Sequence, residues 1–178
     1  VRRMLLTQKS LVEGSRMLAV YCARQLDLEH AHPDAAARKA ASKRAALLIP
    51  IVKAFFTDMG QEVASHAVQV YGGHGFIREW GIEQLMRDSR ITQLYEGTNG
   101  IQALDLVGRK VVGSGGAFYK HFAEEIKAFT DSADSSLAEF IEPLKGAIAN
   151  LELMTADLLE RAKANPNEVG AASVEYLQ

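Results

Sequence analysis

Glu96 is the residue of this chain whose neighbours best equip it for acid–base chemistry. It stands in Tyr95-Glu96-Gly97-Thr98-Asn99-Gly100, with Leu94 and Tyr95 before it and Gly97 after it. A lone carboxylate between apolar residues and a permissive backbone is a common way to build a general base. Upstream lies a second glycine cluster, Tyr71-Gly72-Gly73-His74-Gly75-Phe76. Local spacing also allows a plainer reading. Gly72-Gly73 follows an apolar-periodic run and can close a helix. Gly97 can be a turn glycine before a helix capped by Thr98 or Asn99. The histidines His30, His32, His66 and His121 have no metal-ligand spacing, so no metal is expected. The single cysteine, Cys22, reads as a small buried apolar side chain. One thiol makes no internal disulfide, which fits a reducing, cytoplasmic setting.

The elements that must position these residues all have helical periodicity. Met4, Leu11 and Leu18, with Leu5, Val12, Ala19 and Leu26 beside them, make one helix face over roughly residues 2–28. A connection with Pro33 follows, then an Ala- and Lys-rich helix in which Pro50 is expected to kink or restart the chain. Val52, Phe56, Met59, Val63, Ala67 and Val70 continue as a core-facing stripe up to Gly72. Residues 73–80 read as a loop, 82–88 as a short helix, 90–98 as a turn and 99–112 as a helix. Gly113-Ser114-Gly115-Gly116 reads as a flexible joint. Beyond it, Phe118, Phe122, Ile126 and Phe129 mark one helix face. Leu137, Ile141, Leu144, Ile148 and Leu151 mark another, with Pro143 expected to bend or split it. No β-alternation and no repeat is evident, so the fold class is all-α, an antiparallel helical bundle with added C-terminal helices.

At 178 residues the chain is one domain or most of one. Its formal charge is −2 with acids and bases interspersed, so neither nucleic acid nor an anionic membrane surface is an expected partner. Apolar runs such as Leu47-Leu48-Ile49 are too short to span a bilayer. The chain enters a helical pattern at Val1 without a cap and stops at Gln178 without a helix terminator, as expected of a piece of a longer polypeptide.

From Gln69 to Lys110 the chain resembles the C-terminal domain of flavin-dependent acyl-CoA dehydrogenases. Gln69, Gly72, Gly73, Gly75, Arg87, Asp88, Tyr95, Glu96, Gly97, Thr98 and Gln102 all fall on that family's pattern. Similarity extends back to Val1, giving a C-terminal bundle over residues 1–112. Residues 113–178 look like the extra helical region of the larger bacterial branch, which acts on long-chain or unusual acyl-CoA thioesters. The resemblance implies FAD as cofactor and α,β-dehydrogenation of an acyl-CoA to a trans-2-enoyl-CoA, with Glu96 as catalytic base. The Glu96 N–H would bind the thioester oxygen together with a flavin hydroxyl, and Gly97 would leave the thioester room. Thr98, Asn99 and Gly100 would lie at the flavin. Gln69, Val70, Tyr71, Gly72 and Gly73 match residues that touch the FAD of a neighbouring subunit, which implies a homo-oligomer, dimer or tetramer. An electron-transfer flavoprotein or similar acceptor is the implied redox partner. Arg87 and Asp88 read as an ion pair or cap, and His74 and Trp80 as loop packing. Where many family members carry a basic residue after Ile101-Gln102, this chain has Ala103, a departure that again points to the larger bacterial branch.

The family's N-terminal helical domain and β-domain have no counterpart in these residues. The 178-residue chain alone is therefore expected neither to hold FAD tightly nor to turn over, though it could still fold and dimerise. The alternatives are a non-oxidising flavoprotein of the same fold and a helical oligomerisation module.

Overall fold

Asp34 sets the first corner of the molecule. In the computed structural model, which describes residues 1–178, helix α1 (Arg2–Ala31) ends just before Pro33. The Asp34 carboxylate then accepts hydrogen bonds from the Ala36 and Ala37 N–H groups at 3.2 and 3.0 Å, opening α2 (Ala35–Tyr71). These bonds hold the Asp34 carboxyl below its ordinary range. The short corner makes α1 and α2 antiparallel neighbours. Pro50 does not restart α2, contrary to the sequence expectation; the helix runs unbroken through it. Proline removes one hydrogen bond there, but the flanking Ala45, Leu47, Leu48 and Ala54 are all buried, and packing holds the helix together.

The segment after α2 is more helical than expected. Gly72 closes α2 at φ +60°, α3 (Gly73–Phe76) makes a single turn, and a 3-10 turn (Arg78–Trp80) leads into α4 (Ile82–Ile91). Gly75 is buried, and a Cβ there would run into the backbone carbonyl of Val68. After the 92–98 turn, α5 (Asn99–Leu104) passes directly into π-helical turns over Asp105–Val112. The wider turn brings Leu106, Val107 and Val111, the last five residues beyond the first, all into the core.

The expected glycine joint is a fixed turn instead. The Gly115 and Gly116 N–H groups donate to the Val112 and Val111 carbonyls at 2.9 and 2.8 Å, and the Ser114 hydroxyl donates to the Lys110 carbonyl at 2.6 Å. Gly116 is buried beside Leu159. Helices α6 (Ala117–Ser132), α7 (Ala138–Ala164, unbroken through Pro143) and α8 (Asn167–Leu177) complete the chain, which contains no strand.

The C-terminal helices close over the bundle. Leu47, Leu106 and Val111 form a buried cluster against Ile51, Phe118, Phe122, Tyr176 and Leu177, so α2, the π-helical turns, α6 and α8 share one core. An Arg44–Glu125 ion pair ties α6 to α2, and the Tyr21 hydroxyl on α1 donates to Glu125 at 3.0 Å. Burial, reinforced by Glu125, pushes the Tyr21 hydroxyl up to about 12.

The stripe from Val52 to Val70 is only half-buried, and Leu5, Val12 and Leu26 on α1 are exposed. The core-facing expectation for the 52–70 stripe is corrected accordingly. The fully buried core lies further back, at Ala41 to Ala54 and Ala103 to Val111. No helix is long and apolar enough to cross a membrane.

Candidate functional site

Two helix ends meet around Glu96. On one side, α4 unwinds with the Leu94 and Tyr95 N–H groups both donating to the Ile91 carbonyl, at 2.9 and 3.2 Å. On the other, the Thr98 side chain caps α5 by accepting from the Ile101 N–H at 3.3 Å, and the Thr98 carbonyl accepts from the Gln102 N–H at 2.9 Å. Between them the backbone turns left-handed, with φ +54° at Glu96 and +81° at Gly97. Glu96 is the only residue other than glycine at positive φ in the chain. That conformation costs a residue with a side chain roughly 1–2 kcal/mol, and such outliers gather at functional sites.

The turn leaves the Glu96 carboxylate exposed. It also leaves the N–H groups of Glu96, Gly97, Thr98 and Gly100 without a hydrogen-bond partner in the chain. The Gln102 side-chain amide donates to the Gly97 carbonyl at 3.3 Å, and a Cβ on Gly97 would lie 2.6 Å from that same nitrogen. Position 97 therefore disfavours a side chain on conformational grounds, and any Cβ there must displace the Gln102 amide.

Asn99, expected beside Thr98 and Gly100 at the flavin, has its side chain engaged within the chain. Its side chain is turned onto α2, where Oδ1 accepts from Lys53 Nζ at 3.0 Å and lies 3.1 Å from the Thr57 hydroxyl. Its Nδ2 donates to Asp58 Oδ1 at 2.7 Å. Its backbone N–H is directed at the Gln93 carbonyl, 3.4 Å away. Of the expected trio, Thr98 and Gly100 keep free backbone donors, while Asn99 serves as an anchor.

Gln69, Val70, Tyr71, Gly72 and Gly73 lie at the other end of α2. Eleven residues separate Gln69 from Asp58, about 16 Å along the helix. Gln69, Tyr71, Gly72 and Gly73 are exposed and Val70 is half-buried, and the Gly72 N–H donates to the Gln69 carbonyl at 3.1 Å. Glu96, Gly97, Thr98, Asn99 and Gly100 thus form one loop, and the 69–73 group is a separate surface of the same chain.

Arg87 and Asp88 form no ion pair with each other. Asp88 instead accepts from Gln84 Nε2 at 2.7 Å, one turn back on exposed α4, and Arg87 points to solvent. His74 and Trp80 pack edge to face, with ring centres 5.4 Å apart. Ala103 is completely buried, so a long basic side chain has no room at this position. Lys53, Thr57, Asp58 and Gln93 escaped the sequence reading. Their only signal was the interruption of an apolar stripe by polar residues at 53, 57 and 58.

Residues 1–111 match the acyl-CoA dehydrogenase C-terminal domain, and residues 122–178 match the acetyl-CoA dehydrogenase C-terminal-like domain. Over 99% of its length the chain is 42% identical to the 3-methylmercaptopropionyl-CoA dehydrogenase of Ruegeria pomeroyi. It is 34% identical, again over 99% of its length, to the broad-specificity linear acyl-CoA dehydrogenase FadE5 of Mycobacterium tuberculosis. The chain spans 30% of the length of each of these relatives. A butyryl-CoA dehydrogenase of Syntrophomonas wolfei is 40% identical over 72% of the chain, which covers 21% of that protein. Among solved structures, the apo form of Bd2924 shares the fold, with a TM-score of 0.57 and 19% identity over 95% of this chain and 32% of that one.

Proposed function

The chain belongs to the acyl-CoA dehydrogenase family, and from that premise we propose that it is the C-terminal part of a flavoprotein that oxidises an acyl-CoA thioester to its trans-2-enoyl-CoA, with Glu96 as base. The observation that carries this reading is the left-handed turn that presents Glu96 beside unpartnered N–H groups. A Glu96 oxygen takes the proton from the carbon next to the thioester carbonyl. The Glu96 N–H donates to the thioester oxygen as that oxygen gains negative charge, an oxyanion-type contact. Gly97, lacking a side chain, lets the thioester lie against the loop.

The donor set suits FAD. Free N–H groups at Thr98 and Gly100 fit an anionic pyrophosphate, and Gly72 and Gly73 let the backbone approach the dinucleotide of a neighbouring subunit. Bound FAD supplies the acceptor for the hydride that leaves the β-carbon. The distance along α2 between the 69–73 surface and the Glu96 loop supports a homo-oligomer in which one chain completes another's cofactor site. The half-covered α1–α2 faces support it too. We assign residues 1–112 to the catalytic bundle and 113–178 to a helical buttress, in a cytoplasmic enzyme that passes electrons to an electron-transfer flavoprotein or similar acceptor.

The test is anaerobic flavin absorbance of the full-length flavoprotein, titrated with butyryl-, octanoyl-, palmitoyl- and 3-methylmercaptopropionyl-CoA, beside its Glu96→Gln variant. Bleaching in the wild type that slows at least about a hundredfold in the variant supports the reading. Bound flavin that no thioester bleaches moves the protein to the non-oxidising class, and absence of flavin moves it to the assembly-module class.

A further inference from the structure

One carboxylate oxygen on α2 gathers both ends of the Glu96 loop. Asp58 Oδ1 accepts from Gln93 Nε2 at 2.6 Å and from Asn99 Nδ2 at 2.7 Å. Gln93 precedes the Leu94–Thr98 segment and Asn99 follows it, so the two donors sit at its two feet. The Asn99 N–H, 3.4 Å from the Gln93 carbonyl, draws the same feet together through the backbone. The structure assigns Asp58 as the positioning residue of the Glu96 loop. This assignment rests on the reading of Glu96 as base.

The chemistry of position 99 supports a dedicated clamp. The amide oxygen faces donors, Lys53 Nζ and the Thr57 hydroxyl, while the amide nitrogen faces acceptors, Asp58 Oδ1 and, at 3.4 Å, the Ala54 carbonyl. Only a group with a donor at one end and an acceptor at the other satisfies both sides. An aspartate there would set two carboxylates against each other. Lys53 and Asp58 bracket the Asn99 amide with opposite charges, which polarises it and strengthens both contacts. All five side chains are half-buried, so the clamp is only partly screened by solvent.

The loop needs such a clamp because its other holds, from Gln102 and Ile101 to Gly97 and Thr98, lie on the α5 side, and none ties Glu96 to α2. Glu96 is exposed and left-handed, and the Glu96, Gly97 and Thr98 N–H groups make no bond within the chain. A turn of that kind relaxes unless its feet are fixed. A proton acceptor displaced by about 1 Å loses on the order of a hundredfold in rate. Asp58 touches the feet of the loop rather than Glu96, so it acts through position and takes no proton itself.

The test uses the full-length flavoprotein in single-turnover reduction by the acyl-CoA that best bleaches the wild type, with flavin content and melting temperature measured on every variant. Asp58→Ala is expected to slow reduction about a hundredfold while acyl-CoA affinity changes less than about threefold. Asp58→Asn keeps an acceptor oxygen and is expected to recover to within about threefold of the wild type. A flavin-loaded Asp58→Ala protein that reduces at the wild-type rate overturns the assignment. So does an equal loss in the Ala and Asn variants. Should Asp58→Ala fail to load flavin, Gln93→Ala cuts one foot and leaves the α5 anchor. A slowed rate at unchanged affinity there sustains the clamp, and an unchanged rate overturns it. If no acyl-CoA bleaches the wild type, the reading of Glu96 as base fails first and takes this assignment with it.

Discussion

Gly97 and Gly100 lie three residues apart in one motif, yet the structure asks different things of them. Gly97 stands at φ +81° with the Gln102 amide where a Cβ would go. Gly100 is in the first turn of α5 with ordinary room around it, its nearest contact the Thr98 hydroxyl at 3.8 Å. Gly97→Ala in the full-length flavoprotein should lose about 1–2 kcal/mol of stability and at least about tenfold in kcat/KM, as Gln102 is pushed off the Gly97 carbonyl. Gly100→Ala should melt at or slightly above the wild-type temperature, because alanine favours a helix interior. Melting curves and steady-state kinetics on the pair separate conformational demand from motif membership. Equal losses in both variants would show that the contrast drawn from φ and packing is wrong.

At the scale of elements, the question is what binds α6 to the bundle. Glu125 on α6 pairs with Arg44 on α2 and accepts from Tyr21 on α1, so one side chain joins three helices. Glu125 is over a third exposed, which discounts its ion pair, and Glu125→Ala should cost about 1–2 kcal/mol, read by denaturant unfolding. The same cluster sets a pH dependence. The Tyr21 hydroxyl is raised from 10.0 to about 12, first by burial and then by Glu125. Its contribution is complete below pH 10 and is lost as pH rises toward 12, because the unfolded chain releases that proton earlier. Tyr21→Phe should therefore flatten the alkaline limb of the stability curve between those values and leave the limb below it unchanged.

The whole chain exposes 11225 Å². A compact monomer of its 19.4 kDa mass would expose about 8,500 Å². Exposed apolar side chains contribute to that excess, among them Val12, Met17 and Val20 on α1 and Phe55 on α2. Such exposure calls for a cover, and in the proposed enzyme that cover is the rest of the polypeptide and a second copy. Purified alone, the 178-residue chain should fold as helix, self-associate, hold no FAD through gel filtration and reduce no acceptor with any acyl-CoA. Circular dichroism, light scattering and flavin absorbance check each part. Retained FAD would show that these residues alone complete the cofactor site.

The amino-acid order by itself determined the all-α class, the corner at Pro33-Asp34 and the end of α2 at Gly72, and it singled out Glu96 as the residue proposed here as base. Periodicity, caps and glycines are local signals, and each is written in a few adjacent residues. What the tertiary structure decided depends on partners far apart in sequence. Helix α2 runs through Pro50 because buried neighbours outweigh one lost hydrogen bond, and the 113–116 glycines are fixed because Gly116 docks beside Leu159. Asn99 became an anchor, and Asp58 entered the site, because folding lays the 93–99 turn across the middle of α2. Near Asp58 the sequence shows only a polar break in an apolar stripe, which does not reveal its role, since both of its donors arrive from more than thirty residues away.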